Sequence, residues 1–209
     1  MACWRIGRTS FVAAIAGILS GCAANPGDLV ELSKINQSFV IDARYSTKEN
    51  FVGVRFYPAN RIFLRRDVAA ILNTVEERLS SRALRLKIWD GYRPLAVQRR
   101  MWSVVPDERY VADPKKGSNH NRGCAVDLTV VDSRGQELAM PTPFDDFTPR
   151  AHRDYTELPE NVLQDRQLLA EAMQARGFVP LPTEWWHFDA KDCAKYPVLD
   201  VNPFGAPWP

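Results

Sequence analysis

Residues 117–131 read Gly117-Ser118-Asn119-His120-Asn121-Arg122-Gly123-Cys124-Ala125-Val126-Asp127-Leu128-Thr129-Val130-Val131, a polar, glycine-flanked loop running into an apolar, β-rich stretch. The composition from Cys124 to Val131 predicts a buried strand, and Asp132-Ser133-Arg134-Gly135 predicts the turn that ends it. An acid inside such a strand, Asp127, needs a strong partner, because burying a bare carboxylate is costly or shifts its pKa. A metal ion is one such partner and an arginine is another.

Other elements group around this strand. From Asp67, a candidate N-cap, the apolar positions Val68, Ile71, Leu72, Val75 and Leu79 recur at three- and four-residue spacing, which predicts an amphipathic helix. Leu84, Leu86 and Ile88 alternate with basic residues and predict a strand ending at Asp90-Gly91. Pro94 suits the first turn of a short helix from about Leu95 to Val105, and residues 106–119 read as a polar loop. Residues 141–159, rich in proline and without a period, predict a long ordered loop, and loops of that length are usually functional or disordered. Glu160 to Arg176 predicts a helix stopped by Gly177, and Phe178–Val179 and Trp185–Phe188 predict short strands. Helices and short strands mix without a regular βαβ alternation, so the pattern favours α+β over a doubly wound sheet.

The chain of 209 residues suits one domain, but its start reads differently from the rest. Arg5 and Arg8 precede the apolar run Phe11–Leu19, which ends in Ser20-Gly21-Cys22, the pattern of a secretory signal. That run is far shorter than the roughly 20 residues of a permanent membrane span. Leu19-Ser20-Gly21-Cys22 resembles a bacterial lipobox, which predicts a signal over 1–21, lipidation of Cys22 as a membrane anchor, and an exported protein at the periplasm or cell surface. The alternative is an ordinary cleaved signal with an incidental cysteine. Residues 22–34, with the breaker Asn25-Pro26-Gly27, read as a tether, and 35–209 as a single domain. Without residues 1–21 the chain carries 25 basic and 25 acidic residues, so it has no basic footprint for nucleic acid. Nothing in it marks a protein partner. Export leaves Cys124 and Cys193 as a candidate disulfide in an oxidising compartment, with two free buried thiols as the alternative.

The chain has three histidines. His120 lies in the polar loop before Asp127, and His187 lies in Thr183-Glu184-Trp185-Trp186-His187-Phe188 among aromatics. Two histidines and a carboxylate form a known catalytic zinc set that leaves a fourth position open. A lone buried histidine is, however, more often hydrogen-bonded than metal-bound. Glu184, three residues from His187, could reach a water at the metal and take its proton. Residues three apart on a regular strand face opposite sides, so Glu184 must lie in the loop after Pro182 or beyond a bulge. His152 reads as structural.

Ser118-x-His120 with six residues to Asp127, followed by Glu184-x-x-His187, resembles the D-alanyl-D-alanine dipeptidases. The resemblance continues in Asp42-Ala43-Arg44-Tyr45 through Asn50-Phe51, in Trp89-Asp90-Gly91-Tyr92-Arg93-Pro94 and in Phe144-Asp145, from about residue 36 to residue 190. It implies a single α+β zinc-peptidase domain, with a small, mainly antiparallel sheet flanked by helices, shared with other D-Ala-D-Ala peptidases and the hedgehog signalling domain. It implies one zinc ion per chain on His120, Asp127 and His187, with Glu184 as base and then proton donor. Arg93 would stabilise the oxyanion, although a salt bridge with Asp90 is its simpler role. Asp145 would hold the ammonium of a small D,D-dipeptide, although an exposed loop acid is the simpler reading. Tyr45 and Ser118 would line the pocket, and Trp185 would pack beside the substrate unless it belongs to the core. The implied reaction is hydrolysis of D-alanyl-D-alanine or a related dipeptide in cell-wall peptide turnover. Its rivals are a D,D-carboxypeptidase or endopeptidase acting on peptidoglycan stems, and a non-catalytic wall-binding lipoprotein.

Overall fold

The computed structural model describes Met1 and residues 28–209; the expected signal over 1–21 and the lipidation site at Cys22 lie outside the described residues. In chain order the elements are β1 (Leu29–Glu31), α1 (Leu32–Ile35), β2 (Val40–Ile41), β3 (Phe63–Arg65), α2 (Arg66–Ser80), β4 (Leu84–Asp90) and α3 (Leu95–Val104). There follow α4 (Asn119–Arg122), β5 (Ala125–Asp132), α5 (Glu160–Gln174), β6 (Phe178–Pro180) and β7 (His187–Ala190). The main sheet has the order β2-β4-β5-β7-β6, with β2 parallel to β4 and every other pair antiparallel. A small second sheet pairs β1 with β3. The fold is α+β, as the sequence pattern predicts.

β5 lies at the centre of the main sheet, and Ala125 to Val131 are all buried, which accounts for its unbroken apolar run. Val68, Leu72, Val75 and Leu79 turn one face of α2 into the core, while Ile71, expected on that face, is exposed. Arg65 occupies the cap position of α2, so Asp67 falls in the first turn, where its charge meets the positive end of the helix. α5 ends at Gln174, and Gly177 follows with φ +85°. Of the expected tether over 22–34, residues 22–27 lie outside the described residues, and from Leu29 onward the chain is folded into β1 and α1. Residues 29–31 pair with β3 and Leu32 is fully buried, because a three-residue strand becomes stable once a long-range partner supplies its hydrogen bonds. Among the described residues, no helix is long and apolar enough to cross a membrane.

Three local features shape the centre of the sheet. The register between β4 and β5 slips after Ile88, so that Asp90 stands opposite Asp127. Such a bulge re-aims a side chain that regular alternation would send to the other face. Gly91 then passes so close to β3 that a Cβ there would lie 2.7 Å from both Ile62 Cγ2 and Phe63 O. β7 begins at His187, two residues later than the strand expected from Trp185, so residues 181–186 form a turn ahead of it.

A disulfide joins Cys124, just before β5, to Cys193, just after β7, with a Cα–Cα distance of 5.7 Å across 69 positions of chain. Closing a loop of that length removes freedom from the unfolded chain. Replacing both cysteines with serine is expected to lower unfolding stability by about 2–4 kcal/mol. The urea midpoint measures this, and an unchanged midpoint would show that the bridge adds nothing.

Candidate active site

Asp127 and His187 are directly opposed on β5 and β7, so the sheet itself brings the carboxylate and imidazole together. His187 Nδ1 lies 2.9 Å from Asp127 Oδ1. His120 enters from α4, a single turn held by reciprocal bonds. Ser118 N donates to Asn121 Oδ1 at 2.8 Å, and Asn121 N donates to Ser118 Oγ at 3.4 Å. Asn121 Nδ2 also donates to Arg93 O at 2.8 Å, which locks the turn to the segment after β4. His120 Nε2 thereby comes 3.2 Å from His187 Nδ1 and 3.3 Å from Asp127 Oδ2.

The three ligand atoms of His120, Asp127 and His187 lie within 4.8 Å of one another, and all three residues are buried. The far nitrogen of each ring is already engaged: His120 Nδ1 lies 2.8 Å from Gly91 O, and His187 Nε2 lies 3.1 Å from Asp189 Oδ1. Those contacts leave His120 Nε2 and His187 Nδ1 as the inward-facing nitrogens, the arrangement that metal-ligating histidines adopt. Two ring nitrogens converging on one carboxylate suit a divalent cation, so the donor set fits a metal. Without one, burial disfavours charge on His187, but hydrogen bonds to Asp127 and Asp189 outweigh it and push its pKa up to about 10. Burial likewise opposes charge on Asp127, yet the two histidines hold its pKa well below the usual carboxylate range.

Glu184 lies in the turn before β7, with Oε2 3.9 Å from His187 Nδ1. The parity difficulty is therefore resolved by the turn: Glu184 is outside the strand and free to face the same side as His187. Burial raises its pKa, with the field of Asp127 adding to the effect against the nearby cations. Arg93 is buried; its Nε and Nη2 donate to Asp90 Oδ2 at 3.1 and 2.6 Å, and its Nη1 donates to Gln98 Oε1 at 3.1 Å. The salt bridge with Asp90 thus exists, and it also holds the guanidinium in the cavity wall. Asp90 is fully buried and accepts a further bond from Tyr57 Oη at 2.7 Å.

A cavity of about 440 Å³ is lined by Arg93, His120, Asp127, Glu184 and His187, together with Tyr45, Ser118 and Asp145. Asp145 is half-buried, not an exposed loop acid, and Tyr45 Oη donates to its two oxygens at 3.3 Å each. Burial and the field of Asp127 push its pKa well above the usual carboxylate range. Trp185 does not line this cavity. Its indole turns into the core, donates to Thr142 Oγ1 at 3.0 Å and packs edge-on against Trp89. Trp186 lines the cavity instead, because the turn directs the two adjacent rings to different sides. Asp189 was missed by sequence reasoning, although the local signal exists: in His187-Phe188-Asp189, residues two apart on a strand share a face. The exposed rim formed by Glu108, Arg109 and Tyr110 carries no such signal.

The family model described as D-ala-D-ala dipeptidase, of peptidase family M15, matches residues 25–202. The chain is 36% identical over 172 residues to the D-alanyl-D-alanine dipeptidase of Escherichia coli, covering 82% of this chain and 89% of that one. It is 32% identical over 193 residues to the corresponding protein of Streptomyces coelicolor, covering 79% and 93%. It is also 32% identical over 172 residues to that of Enterococcus faecium, covering 72% and 85%.

The proton on His187 must leave before its Nδ1 can bind a metal. Metal affinity is therefore expected to rise with pH while pH stays below the pKa of about 10. One displaced proton gives about a tenfold gain per pH unit. Competition with a chromogenic chelator between pH 6.5 and 8.5 measures the slope. In the same titration Asp189→Ala is expected to weaken metal binding by about 10- to 100-fold, as loss of a ligand's outer partner does. Wild-type affinity in that variant would remove Asp189 from the centre.

Proposed function

This chain belongs to the D-ala-D-ala dipeptidase family, a family of hydrolytic enzymes, and from that premise we propose that it hydrolyses free D-alanyl-D-alanine or a closely related D,D-dipeptide with one zinc ion. The observation that carries this reading is a single cavity holding the His120–Asp127–His187 cluster, a carboxylate base beside it and a second carboxylate, Asp145, for a substrate ammonium. His120 Nε2, an Asp127 oxygen and His187 Nδ1 would hold the metal. Two imidazoles and a carboxylate in a peptidase favour zinc among divalent ions. When bound, zinc supplies Lewis-acid polarisation of the scissile carbonyl and acidifies water.

The remaining chemistry belongs to the chain's own side chains. Glu184 accepts a proton from the attacking water at its carboxylate and returns it to the leaving amine. Burial raises its basicity toward the range that such transfers require. Arg93, fixed by Asp90 and Gln98, presents a guanidinium at the cavity wall for the oxyanion that develops as the carbonyl is attacked. Burial and the field of Asp127 disfavour the charged form of Asp145, so it gains from a cationic partner, and the ammonium of a free dipeptide supplies one. Tyr45 Oη steadies that carboxylate, and Ser118 sets the turn that carries His120.

Glu184→Ala is expected to keep its metal and to lose turnover by about a hundredfold or more. Asp145→Asn is expected to raise KM for D-alanyl-D-alanine, and the N-acetylated dipeptide to be a poor substrate of the wild type. Steady-state kinetics with metal analysis tests all three. Hydrolysis of the N-acetylated dipeptide at the rate of the free one would replace the dipeptidase reading with a D,D-carboxypeptidase acting on stem peptides.

We further propose that the protein is exported and held on a bacterial membrane through lipid on Cys22. The lipobox-like Leu19-Ser20-Gly21-Cys22 supports this, as does the Cys124–Cys193 disulfide, a bond at home in oxidising compartments. Cys22→Ser is expected to move the protein from the membrane fraction to the soluble fraction of expressing cells. Unchanged partitioning would exclude the anchor.

A further inference from the structure

The turn that carries Glu184 is poorly closed by its own hydrogen bonds. Glu184 N to Leu181 O and His187 N to Glu184 O both measure 3.4 Å, and Leu181 N to His187 O measures 3.2 Å. The first two exceed ordinary N–H···O lengths, so they hold the shape weakly. Better donors come from one residue of the long loop. Arg153 N donates to Pro182 O at 2.9 Å, Arg153 Nε donates to Leu181 O at 2.8 Å and Arg153 Nη2 donates to His187 O at 3.0 Å. The guanidinium therefore spans the base of the turn, gripping the carbonyls at both of its ends.

The setting of Arg153 is unusual for a cation. Its guanidinium carbon lies 4.3 Å from the centroid of the Phe188 ring, and its Nη1 is enclosed without a hydrogen-bond partner. Burial, reinforced by the neighbouring Arg166, lowers its pKa to about 9, and Glu184 is the acid whose field favours its charge. The loop segment that presents it is itself clamped: Arg166 Nη1, from α5, donates to His152 O at 3.1 Å and to Tyr155 O at 2.9 Å. A chain of guanidinium-to-carbonyl bonds thus runs from α5 through residues 152–155 to the turn before β7. Packing alone would be met by an apolar side chain of similar volume; what such a side chain lacks is the planar fork that spans two carbonyls.

We propose that Arg153 is a positioning residue for Glu184, fixing the 181–187 turn so that the carboxylate stands beside the His120–Asp127–His187 cluster. The inference rests on the reading of Glu184 as the base. Leu181 O and His187 O each keep a backbone donor when the side chain is removed, so Arg153→Met is expected to fold. Arg153→Lys keeps the charge, but a single ammonium does not reproduce the fork.

The test uses full-length chain, zinc and D-alanyl-D-alanine, with rates expressed per folded, metal-loaded molecule. Both variants are expected to lose at least tenfold in kcat, with KM within about threefold of wild type and zinc stoichiometry unchanged. The decisive measurement is a double-variant cycle. If Arg153 acts through Glu184, Arg153→Met placed on Glu184→Ala lowers the residual rate no further. Multiplying losses would overturn the proposal and make Arg153 an independent structural residue. Wild-type kcat in Arg153→Met, or failure of both single variants to fold, would overturn it as well. Full activity of Glu184→Ala alone would instead refute the base assignment, so the two failures are distinguishable.

Discussion

Two carboxylates face each other at the centre of the sheet, Asp90 on β4 and Asp127 on β5, and much of the site follows from that juxtaposition. Like charges opposite one another on neighbouring strands repel, and burial removes the water that would screen them. Each acid therefore has its own set of donors. Asp90 takes Arg93 and Tyr57, with His120 Nδ1 3.6 Å away. Asp127 takes the inner nitrogens of His120 and His187. His120 sits between the two acids, and its contact with Gly91 O turns the outer nitrogen away from Asp127. Removing one partner from such a buried pair typically costs about 3–5 kcal/mol, so the cations are as constrained as the acids. A divalent metal held by Asp127 and the two histidines would meet the same demand.

Strand pairing brings Asp127 and His187 together, the single turn of α4 adds His120, and irregular segments bring Glu184 and Asp145 to the same cavity. Strand pairing is enough to oppose Asp127 and His187, but a strand alternates its faces and cannot also present Glu184 three residues earlier. A turn can, at the cost of backbone groups that need donors from elsewhere. Asn121 meets that need beside α4, and Arg153 meets it for the turn before β7. Both reach carbonyls with side-chain N–H groups. Side-chain hydrogen bonds therefore hold the cavity wall where strand and helix ladders do not.

How far this was legible in sequence depended on whether the governing interaction leaves a side-chain signature. α2, α5 and β5 are ordered by apolar patterning, and their places along the chain match that patterning. His120, Asp127, His187 and Glu184 stand out because their chemistry is costly to bury without a purpose. β1 carries no strand signal of its own, because its stability comes from pairing with residues 63–65, far along the chain. Trp185 and Trp186 are chemically alike, and only the path of the turn decides which ring reaches the cavity. Arg153 could not be found from motifs, since its partners are backbone carbonyls 28 and 34 positions away, and any residue type provides a carbonyl.

Asp145 shows how a local conformational cost can be tied to the site. Its φ of +61° lies in the left-handed region, which L-residues other than glycine avoid, although Asp and Asn tolerate it best. The penalty is of order 1 kcal/mol or slightly more, and such a conformation persists only where its surroundings over-determine it. The surroundings here are aromatic. Phe144 stacks on Trp89 with centroids 4.8 Å apart and meets Tyr45 edge-on, fixing the residue just before Asp145. Tyr45 in turn packs against Phe56 and Tyr57, lies beneath the Arg93 guanidinium and reaches Asp145 with its hydroxyl. Arg93 and Asp145 are thus positioned by opposite ends of one tyrosine, its ring and its hydroxyl. A shift of that ring would move both groups together, which makes Tyr45 the mechanical link between the Arg93 side of the cavity and its Asp145 side.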